Sequence, residues 1–170
     1  MIIYEYTNKM YIARQDLRQI RRIIVADYRE TVDYILGIPL FAQKIGKENL
    51  SSLLCRLGNP EKAIPAVHVA GTNGKGSTCR ALAQMLTGMG YRVGLFTSPH
   101  LVSINERIQI DGENISDADF VWAFETVKEK FTQHPSFFEV MFAMAAVYFR
   151  EKKCDFVVYE TGMGGRLDAT

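Results

Sequence analysis

The sequence predicts an α/β fold: a P-loop nucleotide-binding domain with a mostly parallel sheet flanked by helices. Three observations point there. A short apolar run, Ala66 to Ala70, ends in a glycine-rich loop, Gly71 to Ser77, that leads directly into a helical segment. Two more apolar runs, Arg92 to Phe96 and Asp155 to Glu160, read as buried strands, and helical segments lie between them. Strand, helix, strand alternation implies parallel pairing, because a parallel neighbour needs a crossover. The third observation is composition. Of 170 residues, 48% are apolar and 23% charged. That is ordinary for a globular domain, provides for one sizeable core and excludes a disordered chain.

Each element has a local reason. In residues 1–27, Leu17, Ile20, Ile23 and Ile24 recur at helical spacing with arginines on the other face. The pattern lasts barely two turns, too short for a membrane-surface helix, and residues 1–27 are read as an N-terminal extension. Residues 28–36 form a helix closed by Gly37 and Pro39. A second helix, 49–57, is expected to be capped by Asn49 and stopped by Gly58-Asn59-Pro60. A third follows the glycine loop over 76–88. Residues 106–115 alternate apolar and polar about Asp111-Gly112, a hairpin signal. Ser116 and Asp119 open a helix striped by Phe120, Phe124, Val127 and Phe131. Residues 137–151 are apolar nearly all round, which predicts a buried helix.

Charge and cysteine content exclude several classes. Lys plus Arg is 20 and Asp plus Glu is 19, so the net charge is +1. That leaves no electrostatic reason to expect a nucleic acid or membrane partner. Cys55, Cys79 and Cys154 are widely spaced with no CxxC pair, which fits small apolar residues in or near the core of a cytoplasmic protein. No continuous apolar stretch precedes Arg14, so no secretory signal is expected. The apolar run from Val140 to Phe149 is too short to cross a bilayer, which takes about 20 residues.

The chemistry concentrates in Gly71-Thr72-Asn73-Gly74-Lys75-Gly76-Ser77. Glycines let the backbone curl around an anion. The free N–H groups of the following helix then point at it, with the positive end of the helix dipole behind them. Lys75 adds a point charge for the β- and γ-phosphates, and Ser77 a hydroxyl. The motif departs from GxxxxGK[ST], since Gly76 separates the lysine from the hydroxyl residue. A nucleotide site of this kind takes a metal ligand from an acid ending a neighbouring buried strand. Glu160 fits that description, and Ser98, after the second strand, offers another oxygen.

The loop with its extra glycine is similar to that of folylpolyglutamate synthases, within the Mur ligase superfamily. Four other segments agree in order. They are Glu30 to Leu36, Thr97-Ser98-Pro99-His100-Leu101, Asn105-Glu106-Arg107-Ile108, and Glu160 to Thr170 with its Gly-Gly-Arg-Leu-Asp-Ala-Thr ending. Coverage runs from about residue 28 to the end. The resemblance implies a Mur ligase central-domain fold and an ATP-dependent amide ligase, with ATP and Mg2+ as cofactors. Its substrates would be L-glutamate and a folate or dihydropteroate carboxylate, which is activated as an acyl phosphate. It assigns Ser98 and Glu160 to Mg2+, and Phe138, Asp168 and Ala169 to the pterin surface. His100, Asn105 and Arg107 receive a substrate-side role. For Phe138, plain core packing stands as the rival explanation.

The family pattern further implies a histidine, a modified lysine and a second α/β domain downstream. His68 and His134 lie outside the motifs and do not replace that histidine. Residues 28–170 are therefore expected to be the N-terminal part of a longer ligase's ATP-binding domain. Two alternatives stand: a nucleotide-binding module without turnover, and a Mur-type amino-acid ligase with another acceptor, against which Gly76 argues. A truncated sheet would leave an apolar face exposed on helix 137–151, and hence self-association.

Overall fold

The computed structural model describes residues 27–39, 48–132, 135–162 and 170. The helical pattern about Leu17 to Ile24, together with His134, Asp168 and Ala169, lies outside the described residues. Strands β1 (Ala66–Val69), β2 (Val93–Phe96), β3 (Ile108–Ile110), β4 (Glu113–Asn114) and β5 (Phe156–Glu160) form one sheet. Their spatial order is β1-β5-β2-β3-β4. The helices are α1 (27–36), α2 (Glu48–Arg56), α3 (Lys75–Gly88), α4 (Asp117–Lys128) and α5 (Phe137–Glu151). Short 3-10 turns cover Pro60–Lys62 and Ile104–Arg107.

β1, β5 and β2 are parallel, as the strand–helix alternation predicts, and β3 and β4 join antiparallel. One detail differs. β1 and β2 are joined through α3 yet do not touch, because β5 slots between them. The register aligns Val69 with Glu160, and Phe96 with Tyr159, so the three parallel strands end at one edge. At their other ends the Arg92 amide donates to an Asp155 carboxylate oxygen at 2.8 Å, and the Asp155 amide donates to the Arg92 carbonyl at 2.8 Å. The β3–β4 hairpin turns on Asp111 and Gly112, both at positive φ (53° and 85°), as an Asp-Gly turn requires.

The main core lies between the sheet and α5. Phe149 packs so closely on β2 that a Cβ at Gly94 would lie 2.7 Å from its ring. Only glycine lets helix and strand approach to that distance. Phe96, Phe142 and Tyr159 meet edge to face around the same spot. Each such aromatic contributes about 1.5–3 kcal/mol by leaving water. The opposite face carries a smaller cluster of Cys79, Ala83, Val93, Leu95 and Val158 beneath α3.

Several expectations need correction. α5 exposes no apolar face: Phe137 and every residue from Glu139 to Phe149 are buried, because α2, α4 and the Pro60–Lys62 turn pack on the side away from the sheet. Asn49 sits inside the first turn of α2, which opens at Glu48, so it is not the cap. Cys79 and Cys154 are buried, but Cys55 faces solvent on the outer side of α2. The segment 104–107 is a 3-10 turn ahead of β3, closed by a reciprocal Ser103–Glu106 capping box. No helix among the described residues is long and apolar enough to cross a membrane.

Candidate active site at the carboxyl edge of the sheet

The glycine loop leaves β1 at Ala70 and enters α3 through Gly74, whose positive φ of 75° places it in the left-handed region. Gly71 to Gly74 and Ser77 are exposed, while Lys75 and Gly76 are half-buried. Lys75 Nζ donates to the Gly71 carbonyl at 2.9 Å, so the lysine arches back across its own loop. Thr78 Oγ1 donates to the Gly74 carbonyl at 2.9 Å and ties the first turn of α3.

Glu160 ends β5, the middle one of the three parallel strands, and is 5% exposed. Its Oε2 accepts the Ser98 backbone N–H at 2.8 Å. A Cβ at Gly76 would lie 3.4 and 3.5 Å from its two carboxylate oxygens. That is ordinary van der Waals contact, so the acid lies directly against the loop backbone. The edge is further tied by Thr161, whose amide donates to the Val69 carbonyl at 3.1 Å. Loop, Ser98 and Glu160, which the sequence analysis expects at one nucleotide and metal site, lie together at one edge. Cys79, in the first turns of α3, is pushed up to about 11 by burial and by Glu160. It stays a thiol and is no nucleophile here.

The loop from Ser98 to Arg107 borders this edge. Glu106 accepts backbone N–H groups from Leu101, Val102 and Ser103 at 2.8 to 3.0 Å. Those bonds, Leu101 and Ser103 foremost, hold its carboxyl below the usual range. Leu101 and Val102 project into solvent at 87% and 92% exposure. Arg107 Nε donates to His100 Nδ1 at 2.8 Å, and burial followed by the Arg107 charge pushes the His100 imidazole down, so it is neutral near pH 7.

Asn105 sits differently. Its Nδ2 donates to the Ile115 carbonyl and to Asp117, and its Oδ1 accepts from the Tyr28 hydroxyl at 2.8 Å. These bonds clamp α1, the 104–107 turn and the start of α4, which is a structural task. Phe138 is half-buried in the first turn of α5, edge-on to Phe96 at 5.5 Å. His68 stacks on Tyr159 at 5.4 Å. No cluster of three or more His, Cys, Asp or Glu that could hold a metal occurs among the described residues. A cavity of 260 Å³ lies elsewhere, between α2 and the segment after α4, lined by Asn49, Arg56, Lys130 and Phe131.

An open α/β sheet with a phosphate-type loop and a buried acid at the carboxyl ends of its parallel strands defines a nucleotide-binding domain. Comparison with known proteins then narrows the class. No family model matches the chain. It is 45% identical over 151 residues to a Bacillus subtilis dihydrofolate synthase/folylpolyglutamate synthase, covering 84% of this chain and 35% of that protein. The Mycobacterium tuberculosis folylpolyglutamate synthase complexed with ADP superposes with a TM-score of 0.81 at 35% identity, over 86% of this chain and 34% of that one. A folylpolyglutamate synthase complex with AMPPCP and folate gives 0.80 at 40% identity, over 84% and 37%. Over most of its length the chain is similar to folylpolyglutamate synthases and dihydrofolate synthases, and it spans about a third of the length of these relatives.

Proposed function

We propose that this chain is the nucleotide-binding part of a cytoplasmic, ATP-dependent ligase. It joins L-glutamate to the carboxylate of a folate or a dihydropteroate. Residues 28–170 would form part of its ATP-binding domain, with a second α/β domain elsewhere in the protein. The observation that carries the reading is the convergence of the Gly71–Ser77 loop, Ser98 and Glu160 at one sheet edge. Relatives that bind ADP, or AMPPCP with folate, support it.

The reaction has two displacements. A carboxylate oxygen of the acceptor bonds to the γ-phosphorus of ATP, and the bond from that phosphorus to the β–γ bridging oxygen breaks, releasing ADP. The amino nitrogen of glutamate then bonds to the acyl carbon, the bond from carbon to the phosphate oxygen breaks, and the nitrogen loses a proton. Such chemistry needs positioning and charge neutralisation more than covalent help. The loop amides and Lys75 cradle the phosphates. Lys75 must exchange the Gly71 carbonyl for a phosphate oxygen when nucleotide enters.

Among the described residues the Glu160 carboxylate has one hydrogen bond, so an oxygen remains for a hard cation. Ser98 and Glu160 would hold Mg2+, with phosphate oxygens completing its coordination, which fits the absence of a protein cage among the described residues. Bound there, the ion supplies charge neutralisation for the transferred phosphoryl group. Phe138, Asp168 and Ala169 complete the reading as the pterin surface.

The test is glutamate-dependent ADP release by the full-length protein, with dihydropteroate and tetrahydrofolate as acceptors. Turnover with either is expected, and none with both overturns the reading. Calorimetry of the 170-residue chain with Mg·ATP, beside the same turnover assay, separates a catalytic unit from a binding module.

A further inference from the structure

Arg107 is a buried cation that the resemblance puts on the substrate side without a specific task. Its side chain is 8% exposed overall. A buried guanidinium is costly unless an anion pairs with it. Among the described residues, ion pairs join Lys62 to Glu61, Lys128 to Glu125 and Lys152 to Asp119, and none involves Arg107, although the Glu160 carboxylate attracts its charge from beyond ion-pair distance. Among the described residues, the one hydrogen bond of its side chain runs from Nε to His100 Nδ1. A histidine accepting at Nδ1 is neutral, so the pair keeps a full positive charge. Four N–H donors on the terminal nitrogens remain. The only fully enclosed side-chain polar atom without a partner among the described residues is Glu61 Oε2, so those nitrogens still reach solvent.

The placement of this charge is specific. The Arg107 carbonyl accepts the Thr97 N–H at 3.0 Å, and the next residue, Ser98, donates its amide to Glu160. On its other side, the guanidinium lies over the Phe137 ring at 5.0 Å, beside Phe138 in the first turn of α5. Arg107 therefore stands between the phosphate edge and the aromatic side of the site. Stacking and the His100 bond fix the plane of the fork and leave its outer edge free. A planar fork matches a carboxylate with two parallel hydrogen bonds. The nucleotide phosphates already have the loop amides and Lys75.

We propose that Arg107 grips the carboxylate of the acceptor substrate and presents it to the γ-phosphate, with His100 as the residue that positions the guanidinium. This rests on the ligase reading above and assigns that reading's substrate anchor.

The test uses the full-length protein and three ligands: dihydropteroate, its carboxamide and ATP. The wild type should bind dihydropteroate well ahead of the carboxamide. Arg107→Met should weaken dihydropteroate binding by roughly 10- to 100-fold. It should leave carboxamide and ATP binding near wild type, so that discrimination between carboxylate and carboxamide collapses. A merely structural role would weaken all three ligands together. Arg107→Lys, which keeps the charge and loses the fork, should recover only part of the discrimination, and it serves if the methionine variant fails to fold. His100→Ala should raise the KM for dihydropteroate more than it lowers kcat. Retained discrimination in both Arg107 variants, or a loss confined to ATP, overturns the proposal. A wild type that binds ATP but neither dihydropteroate nor tetrahydrofolate overturns the ligase reading and this proposal with it.

Discussion

Glu139 and Glu160 are both buried carboxylates, 6% and 5% exposed, and they are used in opposite ways. Glu139 opens α5. Its Oε2 accepts the Ser136 amide at 2.7 Å and the Ser136 hydroxyl at 2.8 Å, while its own amide donates back to that hydroxyl. Its bonding closes within a single helical turn. Glu160 ends β5, and its one bond comes from Ser98, 62 residues away on the neighbouring strand's loop. It faces the backbone of Gly76 across a contact gap. One acid is spent on the architecture, and the other is held rigidly with coordinating capacity to spare. The same division separates the regions around them: an interlocked aromatic core under α5, and a polar edge whose donors point outward.

If that division is real, mutations on the two sides should separate stability from binding. The largest effect is expected from Phe149→Ala, which empties the contact between α5 and Gly94. It should cost about 3–5 kcal/mol of unfolding free energy by denaturant titration, while any protein still folded binds ATP normally. Next is Lys75→Ala. Losing its charge-assisted bonds should weaken ATP by about 1.5–3 kcal/mol in calorimetry, and turnover should nearly vanish, with the melting temperature of the unliganded protein unchanged. A loss of stability equal to the loss of binding would erase the distinction between the two regions.

A closer comparison uses two serines. Ser136→Ala should cost about 1 kcal/mol, because it removes a helix cap. Ser98→Ala keeps the backbone N–H that meets Glu160, so unfolding should be unmoved. Its effect should appear only as weaker, less Mg2+-dependent ATP binding. Equal destabilisation by both would mean that the Ser98 side chain is structural as well.

Much of the phosphate edge was legible because its signals are local. A strand, a glycine loop and a helix start occupy one continuous stretch, Ala66 to Gly88, and the chain there needs no distant partner to declare its shape. The family resemblance pairs Glu160 with Ser98, but no local pattern predicts their meeting. It depends on β5 inserting between β1 and β2, a long-range choice that no window of sequence contains. The burial of α5 on both sides has the same origin, since α2 and the Pro60 turn cover it from far upstream. Arg107 and Asn105 lie in one motif and look alike as polar loop residues. Only tertiary contacts make Asn105 a clamp and leave Arg107 without a direct ion pair among the described residues. The Ser136-Phe137-Phe138-Glu139 capping box was a local signal, masked by the apolar run in which it begins.

The smallest expected effect concerns pH, and it asks whether the loop beside Glu160 is built like the core or like the site. Glu106 holds three consecutive amides, and its carboxyl lies below the ordinary range because the folded state bonds its charged form. A depressed folded value means that the ionised form contributes stability at neutral pH. That contribution starts to fade as pH drops below the unfolded value of about 4.3, and it is gone once pH passes the lowered folded value. The loss should be local, since Glu106 closes its bonds within five residues. Amide exchange at Leu101, Val102 and Ser103 should accelerate across that acid window while exchange in α5 and β5 does not. Glu106→Gln, which cannot ionise, should exchange faster at neutral pH and flatten the pH dependence. Simultaneous opening of the loop and α5 would join Glu106 to the cooperative core. Opening of the loop alone would make it an independently fastened arm beside the Glu160 edge, and its exposed Leu101 and Val102 would then move without disturbing the fold.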